Sequence, residues 1–305
     1  MAENSDAILD RRTVLVMTAA AIAGGIAGCR RSPDLNSVAA SQNPRRRFED
    51  KIVLITGATS GIGRAAAIAF AAEGGKVAFC GRRENLGREV EAQIKSQGGE
   101  ALYIRADVRD ENSVKAFVDE TIHKYGRLDV AFNNAGITVE KTLHEYSSEE
   151  WDNIQNTNVR GVFLAMKYEI PYMLANGRGN IVVTSSSNAI ATTEKRSAYS
   201  ASKRGLVGLV QSAALDYVDK GIRVNALIPG TTDTALVRGV ANMQNVPDAV
   251  WGAAASVWAQ SHVPMKRMAT PEEIAAFALA LASEEFPYMT GAQMVIDGGK
   301  TARGG

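Results

Sequence analysis

The sequence predicts an α/β protein: a single doubly wound parallel sheet with helices on both faces. Three observations carry this reading. From Lys51 onward, short apolar runs alternate with stretches of helical pattern. The runs are near-continuously apolar, as expected of parallel strands covered on both faces. A glycine-rich turn, Thr56-Gly57-Ala58-Thr59-Ser60-Gly61-Ile62-Gly63, joins the first run to the first helix.

The elements follow in order. Ile52-Val53-Leu54-Ile55 is the first strand, and the alanine-rich 64–73 is the first helix. Further strands are expected at 76–80, 101–105, 128–132, 179–184, 223–228 and 293–296. Helices fit between them at 83–97, 111–125, 149–176, 198–217 and 271–282, while 231–265 is read as irregular. No solenoid-type repeat interrupts the alternation. In such a Rossmann-type sheet, ligands bind outside the carboxyl ends of the strands, where the strand order switches.

The composition bounds the function. The chain has 305 residues, 46% apolar and 22% charged, enough for one large domain with a substantial core. Lys and Arg number 34 against 33 Asp and Glu, so no domain-wide positive field exists to attract nucleic acid. The two cysteines, Cys29 and Cys80, cannot build a disulfide framework, and neither has the neighbours of a zinc site, so no metal is expected.

The first 47 residues read differently. Arg11-Arg12 before Val14-Leu15 resembles a twin-arginine export signal, and Ile26-Ala27-Gly28-Cys29 resembles a bacterial lipoprotein processing site. The uncharged stretch between them is short for a membrane span of roughly 20 residues. The expected organisation is therefore an export signal at 1–29, a flexible linker at 30–47 and one folded domain at 48–305. Membrane attachment would come only through a lipid on Cys29, in the periplasm or on a membrane surface. The alternative is an uncleaved cytoplasmic extension, or a start codon assigned upstream of the true one.

The chemistry rests on Tyr199-Ser200-Ala201-Ser202-Lys203. On a helix, Tyr199 and Lys203 lie one turn apart and face the same way. A phenol has a pKa near 10, and a nearby ammonium favours the phenolate. Bringing that value toward 7 takes roughly 3 units, about 4 kcal/mol of differential stabilisation. The glycine-rich turn departs from the GxGxxG spacing. With Asn133-Asn134-Ala135-Gly136 after the fourth strand and Ser186 after the fifth, the TGxxxGxG and YxxxK motifs resemble those of the short-chain dehydrogenase/reductase family. The resemblance runs from about Phe48 to about Ala302 and includes Asn225-Ala226-Leu227-Ile228-Pro229-Gly230, Thr290-Gly291 and Asp297-Gly298-Gly299.

That resemblance implies an oxidoreductase interconverting a small-molecule carbonyl and alcohol with NADP(H) or NAD(H). Tyr199 is the acid or base, Ser186 polarises the substrate oxygen, and Lys203 lowers the Tyr199 pKa while holding the nicotinamide ribose. Asn158 matches the supporting asparagine and would hold a water linking Lys203 to solvent. Ser185 and Ser187 are the alternatives to Ser186. For Asn158 the alternative is an amide satisfying backbone.

Cofactor contacts are expected from Thr56, Gly57, Ser60, Gly61, Ile62 and Gly63, with the pyrophosphate on the helix N-terminus. Asp107 and Val108 resemble the adenine contacts, and Asn133, Ala135 and Gly136 the cofactor floor. Asp107 as a helix N-cap is the competing reading. Pro229, Gly230 and Thr234 complete the set together with Tyr199 and Lys203. At the end of the second strand, Phe79-Cys80-Gly81-Arg82-Arg83 carries no acid, and Arg82 with Arg83 suits a ribose 2′-phosphate. NADP(H) is therefore expected to be preferred and NAD(H) tolerated; otherwise the two arginines are the basic start of a surface helix.

Substrate choice is expected to lie in 231–265, where Trp251 and Trp258 either cover an apolar substrate or pack a lid's own core. Thr193-Glu194-Lys195-Arg196 puts charges where the family commonly has Pro and apolar residues, and Ala189 replaces a frequent Gly, arguing for a polar entrance or a subunit contact. A homo-oligomer, tetramer or dimer, follows from the resemblance. The rival from another class is a cofactor-binding sensor or scaffold without turnover.

Overall fold

The computed structural model describes residues 46–302; the expected export signal, Cys29 and the linker up to residue 45 lie outside the described residues. Seven strands, β1 (Ile52–Thr56), β2 (Lys76–Gly81), β3 (Glu100–Arg105), β4 (Val130–Asn133), β5 (Gly179–Thr184), β6 (Ile222–Pro229) and β7 (Gln293–Ile296), form one sheet. All neighbours are parallel, in the order β3-β2-β1-β4-β5-β6-β7. The order reverses between β1 and β4, and that switch point fixes where a ligand crevice opens.

Nine helices are present among the described residues, α1 (Gly61–Ala72), α2 (Glu84–Ser96), α3 (Glu111–Tyr125), α4 (Ser148–Gln155), α5 (Gly161–Ala175), α6 (Ser197–Tyr217), α7 (Ala235–Val240), α8 (Asp248–His262) and α9 (Pro271–Ala282), and α1, α2 and α9 cover one face of the sheet while α3, α5 and α6 cover the other. Successive strand residues take opposite faces, which is why the strands are apolar throughout. Val53, Ile55, Val77, Phe79 and Phe132 pack with Phe70 of α1, Ile94 of α2 and Leu279 of α9. Leu54, Ala78, Ala131 and Val183 pack on the other side with Phe117, Val162 and Leu206 of α3, α5 and α6. Burying each large side chain contributes about 1.5–3 kcal/mol.

Two expectations are corrected. The single helix expected at 149–176 is divided into α4 and α5 by a π-helical turn, Asn156–Arg160. The wide turn puts the Asn158 side chain onto the backbone of Ile137. The segment 231–265 contains α7 and α8, where no helix was expected. Their apolar residues are divided between a small core of their own and a cavity, so no single stripe marks them.

Candidate active site

A cavity of about 690 Å³ opens at the carboxyl ends of the strands, around the switch point. The glycine-rich turn forms one wall. Gly57 has φ 72°, and a Cβ there would lie 2.7 Å from the Ala135 Cα, so the turn and the loop after β4 touch backbone to backbone. Thr56 binds that loop through Oγ1, which accepts from the amides of Asn134 (3.1 Å) and Ala135 (3.2 Å). Thr56 thus shapes the cavity without lining it. Gly63 is likewise behind the wall: its Cβ would meet the Gly57 oxygen at 2.4 Å.

The start of α1 suits an anion. Ser60, its N-cap, is extended and makes no side-chain cap, while Ser60, Gly61 and Ile62 line the cavity. The first amides of a helix have no intrahelical partner, so a phosphate there meets donors and the positive end of the helix dipole. Arg83 reaches over the turn, donating to Thr59 Oγ1 (2.9 Å) and Ser60 Oγ (2.6 Å). Arg82 stands beside it, 4.0 Å from the Asp107 carboxylate. Both arginines, Asp107 and Val108 line the cavity. Asp107 is not the N-cap of α3; that position is Asp110, which accepts from the Ser113 amide at 3.0 Å. Asp107 is instead bound by Arg109, which holds its carboxyl below the usual range.

Ala135 and Gly136 line the floor, but Asn133 does not; Asn134 lines it in its place. The pleat sends consecutive residues to opposite faces, so Asn133 at the end of β4 is buried against α5. There Asn133 Nδ2 donates to Glu169 Oε2 at 2.8 Å. Glu169 Oε1 and Asn133 Oδ1 are left without partners, two acceptors that a proton on Glu169 would reconcile. Burial pushes the Glu169 carboxyl up to about 8. Its folded value exceeds the unfolded 4.5, so its stabilising share is full below pH 4.5 and is lost as pH rises toward 8. Glu169→Gln is therefore expected to gain stability relative to the parent between pH 5 and pH 8, as measured by urea unfolding at both values.

Ser186, Tyr199 and Lys203 meet on the wall across from the glycine-rich turn. Ser186 caps a 3-10 turn, its Oγ accepting from the Asn188 amide at 3.1 Å, and it hydrogen-bonds toward Tyr199. Ser185 is committed elsewhere: its hydroxyl donates to the Lys203 carbonyl at 2.8 Å. Lys203 is buried, and its Nζ donates to the Thr184 carbonyl at 2.8 Å.

The electrostatics differ from the expectation. Burial pushes the Tyr199 phenol up, opposed by Ser186 and by Arg196 rather than by Lys203. Lys203 is itself brought down to about 8, because burial disfavours its charge. Its Nζ lies 5.8 Å from the Tyr199 ring centroid and is drawn to Thr184.

The Asn158 side chain is committed to neighbouring protein groups. It does not line the cavity. Its Oδ1 accepts from the Ile137 amide at 2.8 Å, and its Nδ2 donates to the Ile137 carbonyl (2.9 Å) and Ser202 Oγ (3.0 Å). Ile137 does line the cavity, so Asn158 braces the floor against α6.

Pro229, Gly230 and Thr234 lie on the β6 side, and a Cβ on Gly230 would come 2.6 Å from the Asp297 Cα. The lid divides its tryptophans. Trp251 is buried in the lid's own core and donates from Nε1 to Asp233 Oδ1 at 2.7 Å. Trp258 lines the cavity, stacked on His262 with ring centroids 4.5 Å apart. Leu236, Val237 and Val240 of α7 add an apolar ceiling, while Thr193, Glu194 and Arg196 line the entrance.

Known proteins resemble this chain in sequence and in fold. A family model described as Enoyl-(Acyl carrier protein) reductase matches residues 57–301. A solved short-chain type dehydrogenase/reductase from Mycobacterium marinum is 36% identical, covers 84% of this chain and 97% of its own, and superimposes with a TM-score of 0.77. The chain belongs to the short-chain dehydrogenase/reductase family. Other similar members include an uncharacterized oxidoreductase of Thermotoga maritima, 42% identical over 84% of this chain and 99% of its own. A 3beta-hydroxysteroid dehydrogenase of Mediterraneibacter gnavus is 39% identical over 84% and 96%. As a short-chain dehydrogenase/reductase the protein is an oxidoreductase using NAD(P).

Several lining residues of this dehydrogenase/reductase were not among the expected site residues. Thr59 and Asn134 were legible from their place in the glycine-rich and Asn-Asn-Ala-Gly motifs; Ile137, Asn188 and His262 carried no local signal.

Proposed function

We propose that the protein interconverts a ketone or aldehyde and the matching alcohol, with Tyr199 as the acid or base. The observation that carries this reading is the meeting of Ser186, Tyr199 and Lys203 on one wall of the cavity, across from the uncapped start of α1. Bound nicotinamide cofactor supplies or accepts the hydride. Ser186 donates a hydrogen bond to the substrate oxygen, so charge developing there meets a fixed dipole. The Tyr199 hydroxyl gives that oxygen its proton in reduction and removes it in oxidation. Lys203 holds the ribose and Asn158 braces the floor beneath it. The similar hydroxysteroid dehydrogenase bears the name of an alcohol substrate, in keeping with this chemistry.

Incubating the purified protein with NADPH and a panel of ketones, aldehydes and quinones tests the reading. Turnover of at least one carbonyl supports it. Cofactor binding without turnover across the panel would favour a sensor or scaffold.

NADP(H) is preferred in this reading. Gly81 leaves no carboxylate at the end of β2, and a Cβ there would meet Thr59 Cγ2 at 2.5 Å. Arg83, held by Thr59 and Ser60, and Arg82 beside it offer charge and paired donors to a 2′-phosphate. Arg82→Ala and Arg83→Ala are each expected to lower kcat/KM for NADPH about tenfold or more, with little change for NADH. A parent enzyme with higher kcat/KM for NADH would overturn the preference.

The proposal extends to assembly and place. The outer strand β7 exposes Val295 (40%), and Phe286 (40%) and Tyr288 (104%) are exposed beside it in sequence, which favours a homo-oligomer. Light scattering on the purified chain would report its mass. Residues 1–29 are read as an export signal that leaves a lipid-modified Cys29; mass spectrometry of the mature N-terminus after fractionation tests it, and an intact N-terminus with unmodified Cys29 would remove the claim.

A further inference from the structure

Tyr199 stands between Arg196, the N-cap residue of α6, and Lys203 one turn further along that helix. Arg196 precedes it by three residues and Lys203 follows by four, and both approach its ring. The Arg196 guanidinium carbon lies 6.0 Å from the ring centroid, and Lys203 Nζ lies 5.8 Å from it. The two are held differently. Lys203 is buried and loses its proton near pH 8. A guanidinium stays charged throughout the working range of pH.

Arg196 is also clamped. Its side chain is 19% exposed, ion-paired with Glu140 (14% exposed), and donates from Nη1 to Thr138 Oγ1 at 3.2 Å. The two loops that carry the pair are tied together. The Lys141 amide donates to the Lys195 carbonyl at 3.1 Å, and the Tyr146 hydroxyl reaches the same carbonyl at 3.4 Å. Lys195 takes φ 58°, a left-handed conformation that costs about 1 kcal/mol or more in a non-glycine residue and that the clasp sustains. Burial pushes the Glu140 carboxyl up, and the neighbouring charges of Arg196 and Lys195 oppose that rise.

We infer that Arg196 is a positioning residue for proton transfer at Tyr199: a permanent cation, clamped by Glu140 and Thr138, that favours the phenolate from the N-terminal side of α6. This rests on Tyr199 being the acid or base of the reaction. When the phenol has given its proton to the substrate oxygen, the phenolate left behind faces a charge that does not itself titrate. Arg196 exchanges no proton. Burial raises the phenol's pKa, and Arg196 with Ser186 opposes that rise.

Other charged or titratable groups near this end of the cavity are Lys203 on α6, Glu140 and Tyr146 on the loop after β4, Glu194 and Lys195 before α6, and His262 on α8. Gln155 of α4 and Asn158 of the π-helical turn present neutral amides to α6. Arg82, Arg83 and Asp107 line the cavity from the ends of β2 and β3, at least three strand spacings from β5, about 14 Å or more.

The test is an ultraviolet titration of the Tyr199 phenolate in the full chain, isolated by subtracting the titration of Tyr199→Phe made in each background. Arg196→Met is expected to raise the midpoint by about one pH unit, and Arg196→Lys to restore most of it. Glu140→Gln, which keeps the cation and removes its partner, is expected to lower the midpoint. If Arg196→Met does not fold, the opposite shift in Glu140→Gln carries the test. Unchanged midpoints in Arg196→Met and Glu140→Gln, or in Glu140→Gln alone where the other does not fold, would overturn the inference. Turnover retained by Tyr199→Phe would instead strike the acid-base reading on which it rests, so the two failures are distinguishable.

Discussion

Tyr199→Phe loses turnover by about two to four orders of magnitude while cofactor affinity stays close to that of the parent. The substitution removes one oxygen and keeps the ring, so the cavity wall and the packing of α6 are retained. Ser186 remains to polarise the substrate oxygen, yet no group is left there to deliver the proton. In the structure the phenol meets Ser186 on the cavity wall and lies one helical turn from Lys203. Steady-state kinetics and a cofactor titration check both halves of the expectation. A variant keeping more than about a tenth of parental kcat would mean that the acid lies elsewhere.

Lys203→Met is expected to damage turnover and cofactor binding together, each by about tenfold or more. Methionine preserves length but removes the charge and the donor, leaving the Thr184 carbonyl unpartnered in a buried site. An unsatisfied buried acceptor costs about 1–3 kcal/mol, so the end of β5 is expected to shift. The linkage has a definite sign. The folded pKa of Lys203, about 8, lies below its ordinary 10.5, so the unfolded chain binds the proton more tightly. This group therefore contributes rising stability from pH 8 toward 10.5, and Lys203→Met is expected to lack that rise in urea unfolding. Normal cofactor affinity in the variant would remove the ribose-holding role.

Residues 46–302 fold as the strand-helix alternation required, with β1, the glycine-rich turn and α1 in the expected order. These features are legible because they are local. A four-residue apolar run, a glycine that must take positive φ, and Tyr199 one turn before Lys203 are each specified by neighbours a few residues apart. The same holds for the absence of an acid at Gly81 and the presence of Arg82 and Arg83.

Other features depend on pairings across long stretches of chain. Asn133 and Asn134 are alike in sequence, and only the pleat at the end of β4 sends one to Glu169 and the other to the cavity floor. A π-helical turn divides a helix that periodicity reads as continuous, because the Asn158 amide finds the Ile137 backbone 21 residues away. Trp251 and Trp258 carry no local mark to separate lid core from cavity wall. The cation that opposes the effect of burial on Tyr199 is Arg196 rather than Lys203, since burial weakens the lysine's charge while Glu140, brought in from the loop after β4, clamps the arginine. Desolvation and pairing are properties of what surrounds a group in space, so the sequence by itself determined which residues could do the chemistry, and only the tertiary structure decided how their charges and partners are shared.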